Sequence, residues 1–238
     1  MALMIALDGV SYTAGGRDIL RDVSLHTDAR RIGIVGRNGS GKTTLAHLLA
    51  GLTLPTCGRV RIAGVDVGAD RKAALHIVGI LFQNPDHQII FPTVAEELAF
   101  GLLQQGLGDA DAQVAAMLAR FDKSHWSGSA VHLLSQGQKQ LVCLMAVLLM
   151  RPAVIILDEP LSGLDIPTRL QLTRYLAGVD AALVHITHAP EHLEGYDHLI
   201  WLDDGRIAAQ GPLDQVLPHY LKAMNRAGAG DDLTHLAG

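Results

Sequence analysis

Along the chain, short apolar runs alternate with stretches whose apolar residues recur at helical spacing. "RIGIVG", Arg31 to Gly36, is short, β-branched and closed by glycine, which predicts a buried strand. "KTTLAHLLAGL" follows at once with helical periodicity. "GRVRIAGVDV" alternates and predicts one strand; "HIVGILFQ" predicts another, buried on both faces. From Thr93 to Asp122 the pattern turns helical. Thr93 stands three residues before Glu96, a capping box at the head of "TVAEELAFGLLQQ". "DADAQVAAMLARF" follows with acids where a helix start favours them. "SQGQKQLVCLMAVLLM" predicts a long helix that stops at Arg151-Pro152. "AVIILDEP" and "AALVHITH" predict buried strands, the first with acids at its end. "HLIWLDDGRIAAQG" predicts a hairpin turning at Asp204-Gly205. "PLDQVLPHYLKAM" predicts a closing helix interrupted by Pro218. The alternation is that of an α/β protein. Residues 1–224 are expected to form one domain with a helical subdomain inserted at about 93–150, and the Gly/Ala-rich 225–238 to form a flexible tail.

Composition agrees with that architecture. Of the 238 residues, 49% are hydrophobic but only 4% aromatic, so the excess is aliphatic, as buried parallel strands require. The longest apolar run, Leu141 to Met150, is too short to span a bilayer. No basic N-terminal region precedes Asp8, which argues against a secretory signal. Cys57 and Cys143 lack metal-site or disulfide spacing and are expected to be reduced thiols. A net charge of −5 disfavours nucleic acid as a partner.

"GRNGSGKT" comprises Gly36, Arg37, Asn38, Gly39, Ser40, Gly41, Lys42 and Thr43, with Thr44 next. It fits the phosphate-binding pattern G-x-x-x-x-G-K-[ST] and has the strand before it and helix after it that the pattern needs. Glycines let backbone N–H groups converge on an anion, and the helix start adds its positive end. Lys42 supplies charge to the outer phosphates of ATP, and the Thr43 hydroxyl suits Mg²⁺. "VIILDEP" supplies the acid that such a loop needs nearby. Asp158 is expected to orient hydrated Mg²⁺, and Glu159 to act on the attacking water as general base.

Further segments resemble those of ABC transporter ATPases. "LLSQGQKQ" is similar to that family's signature motif, with Ser135, Gln136, Gly137 and Gln138 in place, Gln136 standing where glycine is usual. "LSGLD" resembles the D-loop, ending at Asp165; His188 matches the switch histidine and Gln83 the Q-loop glutamine. Tyr12 matches the aromatic that stacks on adenine. The resemblance runs from Tyr12 to about Gly211 and implies a P-loop NTPase core with an antiparallel β subdomain and an inserted helical subdomain. It also implies a head-to-tail dimer, here a homodimer, with ATP held between one P-loop and the partner's signature. Catalytic roles fall to Glu159, His188 and Gln83, metal contacts to Thr43, Gln83 and Asp158, and Asp165 would link the two sites.

"FQNPDHQIIFPTVAEELAFG" resembles the corresponding run in energy-coupling factor (ECF) importers, with His87 in place of an acid. That implies a membrane coupling subunit and a substrate-binding membrane subunit as partners, contacts through Asp86, Gln88 and Phe91, and a place on the cytoplasmic face of the membrane. The short C-terminal region resembles the ATPase of dedicated biotin uptake systems; cobalt or nickel import is the alternative. A soluble ABC protein of DNA repair or translation would be expected to carry coiled-coil insertions or two cassettes, and a P-loop kinase would not need the signature or D-loop.

Overall fold

The computed structural model describes residues 4–106 and 108–229. In chain order its elements are β1 (Ile5–Ala14), β2 (Arg17–Thr27), β3 (Arg31–Val35), α1 (Lys42–Leu49), β4 (Cys57–Ile62), β5 (Val65–Asp66), α2 (Arg71–Ile77), β6 (Val78–Leu81), α3 (Val94–Gln104), α4 (Ala110–Arg120) and α5 (Gln136–Leu149). Then come β7 (Val154–Asp158), α6 (Ile166–Ala177), β8 (Ala182–Ile186), β9 (His198–Asp203), β10 (Arg206–Pro212) and α7 (Leu213–Ala229).

Two sheets form. The first is antiparallel, in the order β2-β1-β4-β5. The second has the order β10-β9-β3-β8-β7-β6; β9, β3, β8, β7 and β6 run parallel, and β10 closes the edge antiparallel. Strand β7 shows why its sequence is uniformly apolar. Val154 and Ile156 pack into a core shared with the antiparallel sheet and α1. Ile155 and Leu157, on the other face, pack with α3 and α5. Helices α3, α4 and α5 pack on one another and fall between β6 and β7 in chain order. The capping box at Thr93 and Glu96 is present at the head of α3.

The structure corrects the sequence reading in three places. "GRVRIAGVDV" is two strands, because Ala63 (φ 49°) and Gly64 (φ 84°) turn the chain between β4 and β5. The strand expected at "HIVGILFQ" begins only at Val78; His76 and Ile77 end α2, whose start is capped by the Asp70 side chain accepting from Ala73 N. Helix α7 continues through Pro218 to Ala229, beyond the boundary placed at 224. Val216 and Tyr220 hold it against β9, with the Tyr220 and Trp201 rings edge to face at 5.8 Å. The remainder of the expected tail, 230–238, lies outside the described residues.

Candidate functional site

Strands β3, β8, β7 and β6 are parallel neighbours, so their C-terminal ends share one edge of the sheet. Ligands of open α/β sheets bind outside this edge. The chain places Gly36–Gly41 beyond β3, Glu159 beyond β7, His188 beyond β8 and Gln83 beyond β6.

After β3 the backbone turns into α1 through Gly41, which caps the helix at φ 98°, a conformation open to glycine. Lys42 is 6% exposed, and its Nζ donates to the carbonyls of Gly36 and Arg37, both at 2.9 Å. Burial pushes its pKa down, while Glu159 and Asp158 oppose that shift. The buried Ser40 hydroxyl has no protein partner. Thr43 and Thr44 complete the first turn of the helix, and Arg37, Asn38 and Gly39 are exposed.

Asp158 is 5% exposed, and burial raises its pKa. Thr43 Oγ1 lies 3.4 Å from Asp158 Oδ1, which brings together two hard oxygen donors of the kind Mg²⁺ selects. Glu159 has φ 49°, uncommon outside glycine. Its N–H donates to Ile186 O at 3.0 Å, so β8 fixes this conformation. Glu159 Oε2 accepts from Ser162 Oγ at 3.1 Å and lies 2.9 Å from His188 Nδ1. Backbone strain held in place by a neighbouring strand is a mark of functional sites.

A cleft of about 840 Å³ opens above the phosphate loop. Its floor includes Asn38, Lys42, Thr43 and Glu159. Its far wall comes from residues not assigned to the site by the sequence: Arg17 and Ile19 of the β1–β2 hairpin and Asp204-Gly205 of the β9–β10 turn. The Arg21–Asp204 ion pair at 3.0 Å and the bond from Arg21 N to Gly205 O tie the two hairpins together. Asp204-Gly205 is legible as a turn; its contact with a segment more than 180 residues earlier is not.

Tyr12 does not line the cleft. The β1–β2 register shifts on both sides of Tyr12, and its ring packs against the body core, while Ala14, two residues on, lines the cleft. Gln83 is exposed beyond β6 and also lies outside the cleft lining.

Ser135 caps α5 in a reciprocal box: Gln138 N donates to Ser135 Oγ at 3.3 Å, and Ser135 N donates to Gln138 Oε1 at 2.8 Å. Gln136 and Gly137 form the first helical turn; a Cβ at Gly137 would lie 2.3 Å from the Thr168 methyl, so only glycine lets α6 approach. Ser135, Gly137 and Gln138 line a separate cavity of about 370 Å³, and none of the signature residues lines the phosphate cleft of the same chain. Asp165 caps α6 by accepting from Thr168 N at 2.9 Å, and hydrogen bonding to the Thr168 side chain and then to its backbone holds the carboxyl below the ordinary carboxylate range. Of the residues expected at a membrane partner, Asp86 is ion-paired to Lys139, Gln88 turns inward to accept from Phe82 N at 3.3 Å, and Phe91 packs against Phe100.

Behind His188, the buried His185 bonds Tyr196 OH through Nδ1 at 3.0 Å and stacks on His192. Burial holds the His185 pKa down to about 3 against an ordinary 6.5. Protonation therefore favours the unfolded chain. The stability is complete above about pH 6.5 and is lost as pH falls toward 3. At pH 4 the loss should reach roughly 2–4 kcal/mol, or about 5–10 °C in Tm. His185→Phe should flatten the decline between pH 6.5 and 4, with His192 and His198, which burial shifts the same way, leaving a residual slope. A variant profile parallel to wild type would place the acid sensitivity elsewhere.

A glycine-rich loop between a parallel strand and a helix, with a buried lysine and an acid pair beside one cleft, is that of a P-loop ATPase. The chain belongs to the ABC transporter ATPase family: the family model described as ABC transporter matches residues 20–162. It is 49% identical over 230 residues to the biotin transport ATP-binding protein BioM of Rhodobacter capsulatus, spanning 94% of this chain and 98% of that one. It is 36% identical over 225 residues to the energy-coupling factor transporter ATP-binding protein EcfA1 of Symbiobacterium thermophilum, spanning 87% and 78%. Among solved structures, cbiO1 from Clostridium perfringens, part of the ABC transporter complex cbiONQ, superposes with a TM-score of 0.78 at 26% identity over 92% of each chain.

Proposed function

We propose that this chain is the ATP-hydrolysing subunit of an ECF-type importer whose cargo is biotin. The observation that carries the reading is the 49% identity to the Rhodobacter capsulatus protein over nearly the whole of both chains. Among the described residues no helix is long and apolar enough to cross a membrane. On this reading, carried by the likeness to transporter ATP-binding proteins, the subunit works from the cytoplasmic face, through a membrane coupling subunit and a substrate-binding membrane subunit.

Lys42 and the N–H groups of Gly39 to Thr43 hold the phosphates of ATP. Mg²⁺, when bound, neutralises charge on the outer phosphates; Thr43, Asp158 and Gln83 would hold it. Glu159 takes a proton from the attacking water, and His188, held on the same carboxylate, faces the terminal phosphate. The signature of a second copy closes over the nucleotide, since a chain's own signature stands apart from its cleft. Loss of the terminal phosphate releases that contact and opens the head-to-tail dimer.

The test is uptake. The chain is expressed with the membrane proteins encoded beside it in cells lacking a biotin importer of their own. Labelled biotin should accumulate, and Lys42→Ala should reduce accumulation to background. Accumulation of cobalt or nickel without biotin would reassign the cargo.

A further inference from the structure

The segment Phe82–Phe91 leaves β6 of the main sheet, yet its side-chain contacts run to the inserted helices. Lys139 Nζ pairs with Asp86 Oδ1 at 2.7 Å; the lysine side chain is only 17% exposed, the aspartate 62%. Gln140, 1% exposed, donates from Nε2 to Phe82 O at 2.9 Å. Cys143 Sγ lies 4.0 Å from Pro85 O. Residues 139, 140 and 143 share one face of α5. Burial, with Glu97 and Asp86 close by, pushes the Cys143 thiol up to about 12.

The far end of the segment is fastened as firmly. Glu97 of α3, 7% exposed, accepts from Ile90 N at 2.8 Å and Phe91 N at 2.9 Å through one oxygen. The turn is also tied internally, with Asp86 N donating to Asn84 Oδ1 at 3.0 Å. Ile90, 69% exposed, is the large apolar side chain of the segment that stands clear. Side chains from α3 and α5 thus grip the segment at both ends and in the middle, and α5 begins at Ser135.

We infer that the Lys139–Asp86 pair straps the turn after β6 to the signature helix, so that the two move as one body. A push on Ile90 and Phe91 then reaches Ser135 and Gly137 without passing through the sheet. Asp86 acts in coupling through Lys139, as a positioning residue, and not by touching the membrane subunit. The role in coupling rests on the importer reading; the strap itself does not.

The test is a charge swap in the complete importer in vesicles. Asp86→Lys and Lys139→Asp should each lower biotin uptake per ATP hydrolysed by at least ~5-fold, the scale of a single coupling interaction. The double variant should return to within about 2-fold of wild type, since it restores the attraction. A double variant no better than the singles, or singles like wild type, would overturn the strap. Hydrogen exchange on the isolated chain reads the strap without transport. The amides of His87 to Phe91 should exchange faster in each single variant and regain protection in the swap. If wild-type vesicles take up no biotin the importer reading fails, and the exchange pattern still decides the strap: unchanged protection in the singles overturns it.

Discussion

Glu159→Gln is expected to lower the ATPase rate at least 100-fold while leaving the fold intact and trapping an ATP-bound dimer. A positioned general base contributes roughly 10²–10⁴ to rate, and Gln has the shape of Glu without its capacity to take a proton. The backbone at Glu159 is held at φ 49° by its bond to Ile186 O, which any side chain keeps. The amide oxygen of Gln still accepts from Ser162 Oγ, as Glu159 does. Tm should therefore stay within about 3 °C, the effect of at most 1 kcal/mol in a chain of this size. Nucleotide affinity should also hold, since Lys42 and the loop N–H groups are untouched. With binding kept and hydrolysis removed, the state awaiting water attack accumulates, visible as a dimer on size exclusion in Mg-ATP. Hydrolysis at near the wild-type rate would remove Glu159 from the general-base role.

The parts of this site that can be read from sequence are those whose chemistry is written contiguously. Gly36 to Thr43 carries its glycines, lysine and threonine in one run, and the strand before and helix after are set by local pattern. The Thr93 and Ser135 caps need only a partner three residues on, and both form. Long-range placement is different. Tyr12 is matched to a base contact by its position in sequence, whereas the presence of Ala14 in the cleft wall follows from the register of β1 against β2. Arg17 and Asp204 line one cleft only because two hairpins far apart in sequence pack together, tied by the Arg21–Asp204 pair. Glu97 reads as an ordinary acid in the first turn of a helix, where the dipole favours it. Its role as a buried acceptor for two N–H groups of a preceding loop appears only once the chain has folded back. Helix α7 shows the converse error: Pro218 suggests a break, and the packing of Val216 and Tyr220 on β9 overrides the one lost hydrogen bond.

Ser135→Arg should abolish ATP-driven dimerisation and lower the ATPase rate at least 100-fold, while the monomer binds nucleotide within about 3-fold of wild type, because composite transition-state contacts and ground-state binding are separable. Ser135 and the first turn of α5 offer N–H groups and the positive end of a helix to an anion, yet no ATP phosphate within the same chain can use them, because they line another cavity. On the proposed head-to-tail arrangement their ligand comes from a second copy. Arginine at Ser135 adds a long side chain where the phosphate would approach and removes the hydroxyl that accepts from Gln138 N. Loss of that cap costs about 1 kcal/mol, so the variant should melt only a few degrees lower and remain folded. Its own cleft keeps Lys42, Thr43, Asp158 and Glu159. Mixing Ser135→Arg with Lys42→Ala decides whether the signature acts across the interface. In a mixed dimer the first chain supplies an intact phosphate loop and the second an intact signature, so one complete site forms. ATP-dependent association should then reappear in the mixture though neither variant associates alone. A mixture as inert as its components, or a Ser135→Arg monomer that hydrolyses ATP at the full rate, would mean that the signature does not serve the partner's nucleotide.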